Sequence, residues 1–308
     1  MSVPEYQDNG PIKIPDSFSL DKLAGKSVLV TGGAGGLGKA YTQAFVKAGA
    51  YVTMVDINES MGKEAVAELG GNSQFVKCDV TNFDDQVQAF EAAMKNSPQR
   101  SCDVVIANAG VVGQDDMFTL EGKPGYPAGP PKKPNLKTMD INLTGLLYTV
   151  KLAIHYFRRQ AIDASRDRCL ILKCSLAGYI DVPGSIQYNT SKYGVRGVMR
   201  CLRRTSWQEA IRVNLVAPCY IQTPILPPKV QEYLIGNGVG FALVEDCCRA
   251  MLLIASDKSI NGRGLGVVSR SHFSAGYMDL DLDDYKKGTL FDEWQKIVLE
   301  TAGILVSS

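Results

Sequence analysis

Short apolar runs alternate with helical stretches from Lys26 onward. The runs 27–33, 51–56, 73–80, 102–110, 168–175 and 211–218 are rich in Val, Ile and Leu and are bounded by Gly, Asn, Asp or Pro, so each predicts a strand. Between them, 38–50, 58–69, 84–96, 138–162 and 189–208 carry apolar residues at helical spacing. This alternation predicts an α/β fold, a parallel sheet with helices on both faces.

Three stretches break the rhythm. Residues 1–24 are polar and punctuated by Pro and Gly, and predict an irregular arm. Residues 112–137 are too rich in Pro and Gly for a regular element; they follow a strand, on the side of the sheet where ligands sit in such folds. The expectation for them is a flap over a substrate pocket. The stretch 289–300 in the tail is amphipathic enough to dock against something. The division expected is an arm (1–24), one sheet-and-helix domain (25–270, with the insertion 112–137 and a pocket segment 224–245), and a tail (271–308).

Composition excludes several classes. Formal net charge is +1, too little to attract nucleic acid or an anionic membrane. The N-terminal twenty residues have no apolar signal core, and no run of about 18 apolar residues follows. The eight cysteines are scattered without a CxxC pair, and the two histidines, His155 and His272, are far apart, so no zinc site is expected. A cytoplasmic protein with reduced thiols is the expectation.

Chemistry concentrates in two places. Glycines 32, 33, 35, 36 and 38 lie between the first strand and the first helix, where backbone N–H groups can approach a pyrophosphate at the helix N-terminus. Asp56 closes the second strand 18 residues beyond Gly38, placed to accept hydrogen bonds from both ribose hydroxyls of an adenosine. A 2′-phosphate would be repelled there, so NAD is expected over NADP; Lys39 is the nearby cation that could soften the preference. The second place is YNTSK, 188–192: Tyr188 and Lys192 are one helical turn apart on one face. A free tyrosine, with a pKa of about 10, is a poor base near neutrality. A neighbouring cation favours the phenolate and is expected to lower that pKa.

Thr31 to Gly38 (TGxxxGxG), Asn108–Gly110 (NAG), Asn142, Ser175 and YxxxK at 188–192, in that order, resemble the short-chain dehydrogenase/reductase family over roughly residues 24–270. The resemblance implies a Rossmann-type doubly wound sheet and hydride transfer between a secondary alcohol or ketone and a nicotinamide cofactor. It implies Tyr188 as general base or acid, Ser175 polarising the reacting oxygen, Lys192 holding the ribose, and Asn142 completing a proton relay. It also assigns cofactor contacts to Gly32, Gly36, Leu37, Gly38, Asp56, Ile57, Asp79, Val80, Asn108, Ala109, Gly110, Tyr188, Lys192, Ile221 and Thr223. The sequence departs from the family pattern at Cys219, where the family usually has Gly, and at Cys174, where serine is common.

Residues 255–268 look most like the branch with 15-hydroxyprostaglandin dehydrogenase and related fungal alcohol dehydrogenases, which implies a bulky, largely apolar secondary alcohol. The helices at 138–162 and 189–208 resemble those of family dimers, implying a homodimer or homotetramer. Leu146, Leu147, Val150 and Ile154 suit either that interface or a buried face. The competing readings are an NADP-dependent ketoreductase and a non-redox cyclase or cofactor-binding sensor.

Overall fold

The computed structural model describes residues 3, 5–113, 115–117, 123–125, 129–161, 167–222 and 228–306. Its sheet has eight strands: β1 (Ser27–Thr31), β2 (Tyr51–Asp56), β3 (Ser73–Lys77), β4 (Val104–Ala107), β5 (Cys169–Lys173), β6 (Arg212–Pro218), β7 (Gly264–Val267) and β8 (Tyr277–Asp279). Their order is β3-β2-β1-β4-β5-β6-β7-β8, parallel throughout except for the antiparallel edge strand β8. The helices are α1 (Gly36–Lys47), α2 (Glu59–Leu69), α3 (Phe83–Asn96), α4 (Lys137–Met139), α5 (Gly145–Arg158), α6 (Ile186–Leu202), α7 (Pro228–Gly236), α8 (Val244–Ser256) and α9 (Leu290–Val306).

Alternation along each strand sorts side chains into two cores. Val28, Val30, Val104, Ile106, Ile171 and Val216 face α1, α2 and α8. Leu29, Val105, Leu170, Leu172, Val213 and Leu215 face α3, α5 and α6. Both faces are covered, which is why these strands are continuous apolar runs. The predicted parallel sheet is therefore present.

Several boundaries differ from expectation. The helix expected over 138–162 is broken by a π turn, Asp140–Thr144, and ends at Arg158. Helix α8 was missed: its polar residues, Glu245, Asp246 and Arg249, are confined to its first half, and Ala250–Ser256 is a continuous buried run. The short edge strands β7 and β8 were also missed. In α5, Leu146 and Val150 belong to the core, Ile154 packs at its margin, and Leu147 is exposed. Four expected interface positions thus split between two environments. The arm is irregular as expected, but Tyr6 and Leu23 are buried and Ile12, Ile14, Phe18 and Leu20 pack on the core. No helix among the described residues is long and apolar enough to cross a membrane.

Chain order reverses between β1 and β4: β2 and β3 extend the sheet one way from β1, and β4 to β7 extend it the other. A crevice for ligands forms at such a switch point, beyond the carboxyl ends of the strands. The predicted site residues lie on those ends.

Candidate active site

The glycine turn closes by backbone approach. Gly32 and Gly36 adopt φ of +63° and +51°, the left-handed region that disfavours side chains. A Cβ on Gly38 would stand 1.9 Å from the Gly32 carbonyl oxygen, so only glycine lets the start of α1 pack there. Beyond Gly36 the space is open, and the N-cap Gly35 offers no side chain to the first N–H groups of α1. Those donors face outward for an anion. Leu37 is half-buried at the margin of the core.

Asp56 stands at the end of β2, its carboxylate accepting from the Ala34 N–H at 3.1 Å and the Asn58 N–H at 3.0 Å. It thereby ties the glycine turn to the next strand. Ile57 beside it is exposed. Lys39 is paired with Glu68 at 2.8 Å and Lys77 with Glu59 at 3.3 Å, so both cations are held by carboxylates. After β3, Val80 is buried, while the Asp79 carboxylate accepts from the Thr81 N–H at 2.9 Å. Asn108 donates from its side chain to the Thr31 carbonyl at 2.9 Å, and the Thr31 hydroxyl accepts from the Asn108 and Ala109 N–H groups at 3.0 and 3.1 Å. Thr31 thus locks the ends of β1 and β4 together. An uncapped helix start, an open glycine turn and a strand-end carboxylate fit a dinucleotide.

Past β4 the chain reaches the second cluster. An ideal Cβ on Gly110 would lie 3.1 Å from Asn142 Oδ1 and 3.6 Å from Lys192 Nζ, so the two side chains converge on this glycine. Asn142, fully buried in the π turn, accepts from the Val111 N–H at 2.8 Å and donates to the Val111 carbonyl at 2.9 Å and to Ser191 Oγ at 3.2 Å. Its amide is spent on holding the β4 exit against α6. Interrupted helices of this kind recur at functional sites.

Ser175 follows β5 and begins a short turn, Leu176–Gly178. Its hydroxyl donates to the Pro218 carbonyl at 3.4 Å, accepts from the Ala177 N–H at 3.2 Å, and shares a hydrogen bond with Tyr188. Lys192 Nζ lies 5.5 Å from the centre of the Tyr188 ring and donates to the Lys173 carbonyl at 3.2 Å. Ser175, Tyr188, Lys192 and Asn142 therefore form one cluster. Ile221, beyond β6, is buried and bridges to Ala242. Thr223 lies outside the described residues.

Electrostatics correct one expectation. Burial holds the Tyr188 phenol above its ordinary pKa, and the Ser175 hydrogen bond offsets only part of this. Lys192 does not reverse this shift, and burial and then the neighbouring Lys173 cation depress its own pKa to about 8. It therefore remains mostly charged at neutrality.

Two contacts were invisible in the sequence. The Asp115 carboxylate, from the insertion, accepts from the Gln187 N–H at 2.6 Å, and Gln187 donates to the Asn135 carbonyl at 3.0 Å. Ser185, the N-cap of α6, makes no side-chain cap bond, so Asp115 caps the helix from a distance. The insertion is thus fastened at both ends to the residue before Tyr188. An open cleft of about 470 Å³ lined by Val182, Pro183, Ile186 and Tyr193 uses a different stripe of α6 and is separate from this cluster.

The family model described as short chain dehydrogenase matches residues 26–233. The chain belongs to this family. The 5'-hydroxyaverantin dehydrogenase of Dothistroma septosporum is 37% identical, aligned over 92% of this chain and 95% of its own. The 5'-hydroxyaverantin dehydrogenase stcG of Emericella nidulans is 31% identical, over 86% and 90%. The NADP-dependent dehydrogenase M3 of Phoma sp. is 30% identical, over 89% and 83%. The crystal structure of a short-chain type dehydrogenase/reductase from Mycobacterium marinum superposes with a TM-score of 0.68 at 24% identity, covering 82% of this chain and 97% of that one, and shows the shared fold.

Proposed function

We propose that this short-chain dehydrogenase oxidises a bulky, largely apolar secondary alcohol with NAD, or reduces the matching ketone, with Tyr188 as general base or acid. The observation that carries the reading is the cluster itself: Tyr188 hydrogen-bonded to Ser175, with Lys192 Nζ 5.5 Å from its ring centre. A bound nicotinamide cofactor would supply the hydride acceptor for the carbinol carbon, or the hydride donor for the ketone. Ser175 orients the substrate oxygen, and Tyr188 takes or gives its proton. Lys192 supplies positive charge beside the phenol, and Asn142 holds the β4 exit and α6 in register. Gly32, Gly36, Leu37 and Gly38 would receive the pyrophosphate, with Asp56 and Ile57 at the adenosine ribose. Asp79, Val80, Asn108, Ala109, Gly110 and Ile221 would line the rest.

Two relatives named 5'-hydroxyaverantin dehydrogenase favour dehydrogenation of a hydroxylated compound. A second reading, NADPH-dependent ketone reduction, is favoured by relatives named NADP-dependent. Against it stand Asp56 at the ribose position and the pairing of Lys39 and Lys77 with carboxylates. A homo-oligomer in the cytoplasm, with residues 25–270 as the catalytic unit, completes the proposal.

The test is titration with NADH and NADPH, followed by turnover of bulky secondary alcohols by wild type and Tyr188→Phe. The reading expects tighter NADH than NADPH, and a fall in kcat of about 10²–10⁴-fold in the variant at unchanged NADH affinity. Tighter NADPH would transfer the proposal to ketone reduction. Full activity of Tyr188→Phe would sink both.

A further inference from the structure

Asp283 lies beyond the span matched by the family model, in the segment after β8, yet it is buried against the active-site scaffold. Its carboxylate accepts from the Tyr179 hydroxyl at 2.8 Å and from Arg196 Nε at 2.6 Å. Tyr179 directly follows the turn that Ser175 begins. Arg196 is on α6, one turn beyond Lys192 and two beyond Tyr188, on the same stripe. Its guanidinium also lies 4.1 Å from the centre of the Tyr179 ring, and Nη1 donates to the Gly178 carbonyl at 3.3 Å. A Cβ on Gly264 would come within 2.5 Å of the Tyr179 oxygen and 3.1 Å of Asp283 Oδ2, so β7 carries glycine where this triad closes.

We propose that Asp283 is a positioning residue for hydride transfer: it clamps the Ser175 turn, through Tyr179, to the helix bearing Tyr188 and Lys192, through Arg196. The proposal rests on the reading of Ser175 and Tyr188 as the proton-transfer pair. These side chains come from separate elements, and their hydrogen bond requires the turn and the helix to keep one separation. Packing supplies part of that constraint: the Cys174 thiol contacts the Lys192 carbonyl at 3.3 Å, and a Cβ on Gly178 would stand 2.8 Å from the same oxygen. The packed surfaces resist approach, whereas the Asp283 bridge resists separation and sliding. Arg203 holds the bridge in turn, donating to the Asp283 carbonyl at 2.7 Å and to the Asp284 carboxylate at 2.9 Å. The C-terminal segment thereby becomes part of the scaffold of the site.

The experiment compares wild type, Tyr179→Phe, Asp283→Asn, the double variant and Tyr188→Phe. Tyr179→Phe removes one hydroxyl and leaves the ring under Arg196, so it keeps the test open should the buried Asp283 variant fail to fold. Thermal unfolding checks folding, and NADH titration reads the cofactor site, which the bridge does not touch. The expected result is a kcat about 10-fold lower in each folded single variant, with NADH affinity within about twofold, because small misplacements of reacting groups are costly. The double variant should be no worse than the poorer single one, since both cut the same link. The ascending limb of kcat for oxidation should move to higher pH, because a loosened Ser175 hydrogen bond no longer draws the Tyr188 pKa down while burial, Lys192 and Cys174 around the phenol stay in place. Unchanged kcat and limb in Tyr179→Phe, with Tyr188→Phe inactive, would overturn the positioning role alone. An active Tyr188→Phe would overturn the underlying reading and this proposal with it.

Discussion

At the scale of single residues, Lys192 shows a functional group working against stability. It is 4% exposed, and burial lowers its pKa to about 8 from an unfolded value of about 10.4. Between those values the unfolded chain holds more protons than the folded one, so stability rises with pH from about 8 to about 10.5. Below pH 8 the full cost applies, about 3 kcal/mol. Lys192→Met should therefore raise the Tm at pH 7 by a few degrees, flatten the stability profile across that window, and lower kcat by at least about 10²-fold. Differential scanning calorimetry at pH 7 and pH 10, beside turnover assays, reads both effects. The activity profile has its own sign. Tyr188 must ionise to accept a proton, and its pKa is held up by burial, so oxidation should accelerate as pH rises while reduction slows. The Tyr188–Lys192 pair was legible in the sequence because both lie on one helix, where spacing sets proximity. The direction of the Tyr188 shift was not, because burial comes from elements distant along the chain.

At the scale of elements, α6 carries most of the site and is secured at both ends. Its start is capped by Asp115 through the Gln187 N–H at 2.6 Å, and its far half is tied down by Arg196 and Arg203. The capping carboxylate also suits the positive end of the helix dipole. Asp115→Ala removes both effects, at a cost of roughly 0.5–2 kcal/mol in stability. Because the insertion then loses one of its two fastenings beside Tyr188, KM for a bulky alcohol should rise several-fold while NADH affinity is unchanged. Asp115→Asn, which keeps an acceptor, should recover most of the loss. Equal KM in wild type and both variants would show that the insertion does not border the substrate. The insertion itself was legible as a break in periodicity, and its attachment to Gln187 was not, since it spans 72 residues of sequence. Helix α9 was legible too; among the described residues Phe291 stacks on Tyr285 with ring centres 5.5 Å apart, while Trp294, Ile297 and Val298 are more than half exposed.

At the scale of the whole molecule, two long-range devices hold the ends to the sheet. Tyr6 is buried between Arg203 and Arg204, whose guanidinium carbons lie 4.1 and 4.8 Å from its ring centre, and it hydrogen-bonds Asp284. The Ile12 N–H donates to Asp279 at 2.9 Å, joining the arm to β8. Removing residues 1–20 would uncover this cluster and the core margin, and Tyr6→Ala alone should cost about 2–4 kcal/mol. A Tm lowered by several degrees in both forms checks it; an unchanged Tm would mean that the arm is not held in solution. Deeper in, Arg212 is fully buried, paired with Asp167 at 2.6 Å and donating to the carbonyls of Ile254, Asp257 and Ile260. It anchors the start of β6 to the buried end of α8.

Local order was written into the sequence: the strand and helix periods, the glycine turn with Asp56 after it, and the Tyr188–Lys192 pair. Each rests on residues within one element or on one strand–turn–helix unit, where backbone geometry converts spacing into distance. The tertiary structure alone decided which distant groups meet, as Asp283 does with Tyr179 and Arg196, and Asp115 with Gln187. It also decided that Leu146 faces the core while Leu147 faces outward, and that burial outweighs Lys192 at the phenol. Burial and long-range contact are properties of the packed chain, set by how the helices lie across the sheet, and no period in the sequence encodes them.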